Sequence, residues 1–212
     1  PNSRTVADRV NAMFQAFDTL SGAPGDAAAR LEVLQQAGNL AQQVSTTAGD
    51  LATQRDELFT QARGVAGEVN TRLARIATLN RAIAEATALG DAGADLRDQR
   101  DLLVQEVGDR LGARSIEDAT GQVTLFSAGT VLVEGSNASS VSVSLDPANN
   151  LRLTVAQPGG ATTDATAGMT QGTLGGLREA RDVDIVSAQT SLDQFAFDLA
   201  TTVNTAHAAG FG

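Results

Sequence analysis

Between Asp26 and Leu89 the chain contains no proline, and apolar or small residues recur at Val44, Ala48, Leu51, Leu58, Ala62, Val65 and Val69. After one four-residue step the pattern resumes at Leu73, Ile76 and Ile83. Steps of three and four sustained over this length describe a long helix lying along a partner, as in a bundle or coiled coil. Gly64 and Gly67 weaken that helix midway by up to about 1 kcal/mol each, enough to allow a bend. A second stripe of the same kind, again without proline, runs through Ile185, Gln189, Leu192, Ala196, Leu199, Val203 and Ala206. Neither stripe is buried by its own helix, so the two are expected to pack on one another.

Shorter elements fit around these two. Val6, Val10, Met13, Phe17 and Leu20 predict an amphipathic helix of about five turns. Ser21 to Gly25 breaks it, and Asp26 is placed to cap the next helix. After a loop at Gly90 to Gly93, a helix over Asp95–Leu111 presents Leu96, Leu103, Val107 and Leu111 on one face. The character then changes to strands. Segments 113–117, 122–126, 131–133, 141–145 and 151–155 read as β, and the last two alternate apolar and polar residues around the turn Asp146 to Asn150. Gln157 to Gly168, rich in Gly, Thr and Ala, is expected to be a mobile loop. The predicted fold is therefore mainly α with a small β insert. A discontinuous helical bundle over 1–112 and 171–212 of long antiparallel helices carries an inserted antiparallel β subdomain over 113–170.

Charge and composition exclude several roles. The net charge is −10, from 25 acidic and 15 basic residues, and every basic residue is arginine. A field of that sign repels nucleic acid and anionic lipid, and no basic stripe reverses it locally. Seven Phe with no Trp or Tyr leave little surface for base stacking. No stretch approaches the roughly 18 consecutive apolar residues that a membrane span requires. Absence of cysteine removes disulfides and thiolate metal sites, and suits export in an unfolded state as well as a reducing compartment. The chain lacks an initiator Met and a signal-peptide pattern and ends at Gly-Phe-Gly, which is expected of a fragment of something longer.

Three features invite a chemical reading, and each has a plainer one. Asp95, Asp98 and Asp101 share a helix face, yet no further ligand lies nearby to complete a hard-ion shell; an acidic helix start paired with Arg97 and Arg100 explains them better. Gly172-Thr173-Leu174-Gly175-Gly176 precedes a helix, but lacks the Lys-Ser/Thr end of a phosphate loop and reads as a flexible helix entry. His207 is the single histidine and sits near a helix C-terminus, where a cation is favoured. Glu-x-x-His spacing for a bundle metal site is absent. The expectation is no catalytic residue, no cofactor-binding residue and no metal ligand.

Several blocks, in order, resemble a known family. Val69-Asn70 with Ile76-Ala77-Thr78-Leu79-Asn80-Arg81-Ala82-Ile83 is similar to its long-helix signature, and Asp95-Leu96-Arg97-Asp98-Gln99-Arg100-Asp101-Leu102-Leu103 to its most specific block. Gly121-Gln122-Val123 and Gly129 through Gly135 resemble the β segment that follows. Gly172 to Leu177 with Arg181-Asp182 resembles the return to helix, and Leu192 to Asn204 with His207 to Phe211 the closing signature. The family is flagellar hook-associated protein 1, the first hook–filament junction proteins of bacteria, and the likeness extends from about Phe14 to Phe211. The chain departs from the family's pattern in lacking its terminal helices, in a short β insert, and in Arg97 where an apolar residue is more usual.

The resemblance implies a structural subunit, exported by the flagellar type III pathway without a cleaved signal peptide and located on the extracellular flagellum. It implies a ring of copies of itself between hook and filament. The hook protein lies below, the second junction protein above, and an export chaperone acts on the missing C-terminal segment. Two other readings stand beside it. A coiled-coil sensory or adhesive module would bind a ligand through the β insert and depend on the loop from Gln157 to Gly168; an enzyme would depend on Asp98.

Overall fold

The computed structural model of the protein describes residues 5–210. Helix α1, Val6–Gly22, starts at a reciprocal cap in which Thr5 and Asp8 bond each other's backbone N–H. Helix α2 runs unbroken from Ala27 to Ala88, through Gly64 and Gly67, for about 93 Å at the α-helical rise. Asp26 caps it as expected, its Oδ1 accepting from the Ala28 N–H at 2.8 Å. Helix α3, Ala94–Leu111, ends at Gly112, whose φ of 63° is the left-handed conformation that stops helices. Helix α4, Gly172–Glu179, passes through a π-turn at Ala180–Asp184 into α5, Ile185–Ala209.

Between α3 and α4 lie seven strands in two antiparallel sheets. The first is ordered β1 (Arg114–Glu117), β2 (Val123–Ser127), β3 (Thr130–Glu134), β4 (Asn137–Ala138), with a bulge at Leu125/Phe126. The second is the β5 (Ser140–Leu145) and β6 (Leu151–Ala156) hairpin, followed by β7 (Thr162–Asp164). Strand β7 corrects the sequence expectation of a loop throughout 157–168. Its short run of threonines carries no apolar alternation, and its pairing with β6 supplies the order.

The chain divides into two compact units, residues 1–54 with 186–212, and residues 55–185. The sequence reading places its boundaries elsewhere, at 112/113 and 170/171. In the first unit, α1, the start of α2 and α5 bury Met13, Ala16, Ala29, Val33 and Leu40. The α5 stripe here, through Leu192, Ala196, Leu199 and Val203, is half-buried. In the second unit the α2 stripe from Ala62 to Ala77 joins Val107 and Leu111 of α3, Leu125, Leu132 and Val133, Val141, Leu151, Leu153 and Val155, and Leu174 in a single core. Of the α2 stripe, only the part before residue 55 shares a unit with α5. From Ala62 onward α2 is covered by strands, because β5 and β6 offer an apolar face of matching length, with alternate residues buried.

Candidate functional site

The polar side chains that matter most are those fastening the sheets to the helices of the second unit. The first fastening is on α2. Asn80 lies between Ile76 and Ile83 on the buried stripe and is fully buried. Its Nδ2 donates to the carbonyls of Val123, at 2.7 Å, and Gly135, at 2.9 Å, and its Oδ1 accepts from the Val123 N–H at 3.0 Å. Asn70, ten residues earlier, does the same to β5: Nδ2 donates to the Val141 carbonyl at 2.8 Å and Oδ1 accepts from the Val141 N–H at 2.7 Å. Each amide stands in for a neighbouring strand, satisfying backbone groups that an apolar stripe would leave unpaired.

The second fastening is on α3. Arg100 occupies the middle of the helix face that carries Leu103 and Val107, and its side chain is 1% exposed. Nη1 donates to the Gly121 carbonyl at 2.5 Å, Nη2 reaches Glu117 of β1 at 3.2 Å, and Nε and Nη2 hold Asp101. Arg97 pairs with Glu117 and donates to the Ala92 carbonyl at 2.9 Å. Its guanidinium fills the space where a Cβ on Gly121 would stand, at a φ of 80° that also favours glycine. Arg97 thus packs by covering this glycine. The Arg72–Glu106 pair, with Arg110 to Glu68 at 2.9 Å, ties α2 to α3.

The third fastening joins the β5–β6 hairpin to the π-turn. Arg181 is fully buried, and its Nη1 and Nη2 donate to the Asn149 carbonyl at 2.8 Å and Oδ1 at 3.2 Å. Arg55 Nη2 donates to the same carbonyl at 2.8 Å. Asp182 pairs with Arg181 and accepts from the Leu151 N–H at 2.7 Å. The guanidinium groups of Arg63 and Arg181 each stand over the Phe59 ring, 5.8 Å from its centroid. The Nε atoms of Arg55 and Arg181 are buried and find no hydrogen-bond partner among the described residues.

The three sequence candidates take structural places. The aspartates go separate ways: Asp101 holds Arg100, whereas Arg97 turns to Glu117, so the expected pairing of the acidic helix start with both arginines is corrected for Arg97. Among the described residues no three acidic or histidine side chains are grouped as an ion site. Glycines of the 172–176 run permit close approach. A Cβ on Gly172 would stand 2.6 Å from the Arg110 carbonyl carbon, and one on Gly175 2.5 Å from that of Thr170. His207 is exposed in the last turn of α5.

Two carboxylates are perturbed, both by turns. The Thr166 hydroxyl and N–H, then Arg152 at 2.9 Å, lower Asp164 to about 2. The Thr120 hydroxyl at 2.6 Å, then the N–H groups of the same turn, lower Asp118. Both order hairpin ends and face solvent.

What sequence reasoning missed is the role of Asn70, Asn80 and Asn149. A signal existed for Asn80, a polar residue at a stripe position between Ile76 and Ile83. Asn149 gave none, since its contacts come from residues far off in the chain.

The buried polar side chains of this mainly helical scaffold fasten its sheets to its helices. The chain belongs to the family described as flagellar hook-associated protein FlgK helical domain, which matches residues 1–212. It is 30% identical over 222 residues to flagellar hook-associated protein 1 of Escherichia coli K12, covering 99% of this chain and 40% of that protein. The same protein of Salmonella typhimurium is 30% identical over 221 residues, with 99% and 39% covered. The flagellar hook junction protein FlgK from Burkholderia pseudomallei has a similar structure, with a TM-score of 0.73 at 26% identity over 83% of this chain and 33% of that one. The chain spans about 40% of the length of the curated relatives. Mainly helical architecture with small antiparallel sheets is common to both, and no helix among the described residues is long and apolar enough to cross a membrane.

Proposed function

We propose that this chain is the helical domain of a structural subunit at the hook–filament junction of the bacterial flagellum, acting by mechanical connection and without catalysis. The observation that carries the reading is where the family blocks fall. Asn70, Asn80, Arg100, Gly121 and the Arg181-Asp182 pair fasten sheets to helices, and Gly172 lets α4 approach the end of α3. Such residues resist shear between layers and transform nothing. In this reading residues 113–170 are an insert that widens the subunit. The partners are copies of the subunit, the hook protein and the second junction protein, and an export chaperone acts on parts of the protein outside this chain. Its place is the extracellular flagellum, reached by type III export.

The test is deletion of the parent gene followed by electron microscopy. Hooks without filaments, with filament protein shed into the medium and both restored by the intact gene, support the reading; normal filaments reject it.

A further inference from the structure

We infer that the π-turn Ala180–Asp184 is a register switch, held in its wide form by the tip of the β5–β6 hairpin. A π-turn contains one residue more than an α-turn and is rare without an outside constraint. Here the Ile185 N–H reaches back to the Ala180 carbonyl. Two successive side chains on that turn, Arg181 and Asp182, both engage the hairpin: Arg181 holds Asn149, and Asp182 holds the Leu151 N–H at 2.7 Å. Side chains of successive α-helical residues diverge by about 100°, so a single docking surface for both favours the widened turn.

The hairpin tip is shaped for the task. Asn149 takes a φ of 61°, an uncommon left-handed conformation that its own turn supports through an N–H bond to the Asp146 carbonyl at 2.9 Å. Arg55, from α2, donates to the same Asn149 carbonyl. The tether is costly to keep. The Nε groups of Arg181 and Arg55 are both buried without a hydrogen-bond partner among the described residues. A buried orphan donor raises the energy of the tethered state and brings the two forms of the turn closer together. Relaxing to an α-turn removes one residue from it and advances the helical phase of everything after Asp184 by about 100°. The hairpin therefore sets the helical phase with which α5 leaves the turn.

Through-hydrogen-bond scalar couplings measured on the whole chain test this. In the unaltered protein the Ile185 amide couples to the Ala180 carbonyl. Shortening the turn Asp146–Asn150 to a two-residue Asn-Gly turn removes the Asn149 half of the tether without touching the helix, and moves that coupling to the carbonyl of residue 181. Arg181→Met, which keeps an apolar stem beside Phe59, gives the same move from the helix side. A folded variant of either kind that retains the Ala180 coupling overturns the inference. Should both variants unfold, amide exchange of the unaltered chain decides. Exchange of the Ile185 amide at least about tenfold faster than that of Gln189 supports local switching, and equal protection overturns it.

Discussion

The side chain of Asn80 and the backbone of Val123 are paired in both directions, Nδ2 to carbonyl at 2.7 Å and N–H to Oδ1 at 3.0 Å, in a site without solvent. A helix residue thereby acts as the missing neighbour of a strand. Because the backbone groups it satisfies are buried, the contact is worth most when it is lost.

Asn80→Leu strands the Val123 N–H and two carbonyls in an apolar core, at a cost of about 3 kcal/mol. Asn70→Leu, at a half-buried position with the Val141 pair alone, costs about 1–2 kcal/mol. Urea unfolding of the two variants beside the parent gives the order; equal losses would refute the account of burial.

Arg100→Ala leaves the Gly121 carbonyl without its buried donor and empties the space of a buried side chain, at a cost of about 2–3 kcal/mol. Asp98→Asn, on the exposed side of α3, changes stability by no more than about 0.5 kcal/mol. Thermal unfolding of both variants separates a fastening residue from a solvated one.

Glycines divide by what surrounds them. Nothing lies within 4 Å of a Cβ built on Gly64 or Gly67, so Gly→Ala at each stabilises α2 by about 0.5–1 kcal/mol. Gly175→Ala drives its methyl into the Thr170 backbone and destabilises by about 1–3 kcal/mol. Denaturation midpoints of the three variants decide the sign.

Asp164 is held at about 2, below its ordinary 3.8, by Thr166 first and Arg152 after. Its folded form favours the carboxylate, so its contribution to stability is whole above pH 3.8 and is lost as pH falls through about 2. Carboxyl-carbon NMR should show Asp164 titrating near 2, and Asp118 likewise below 3.8. Asp164→Asn should flatten the acid limb of stability at the β6–β7 edge.

The elements were legible wherever local pattern decides them. The α2 and α5 stripes, the Asp26 cap and the turn at Asp146 to Asn150 are all written in neighbouring residues, and each recurs in the structure. Strand β7 was hidden, because Thr162 and Thr163 have no apolar alternation and depend on β6 for order. The site was less readable than the fold. Arg100 carries the same letter as a surface salt-bridge arginine, and only the approach of Gly121 from 21 residues away makes it a buried fastening. The apolar stripe of α2 likewise announced a partner without saying which. Its first part shares a unit with α1 and α5, and the rest meets strands whose own alternation suits it.

Residues 54 and 55 are consecutive in α2, and residues 185 and 186 in α5, so both borders between the compact units fall inside helices. There is no slack peptide at either border for a protease to enter or for an engineer to cut. Expressing either unit by itself would leave two severed helix ends, each with up to about four backbone groups stripped of their bonds. Dissection of this chain into halves is for that reason a poor route to its parts, and fusions or tags belong at the loop tips instead.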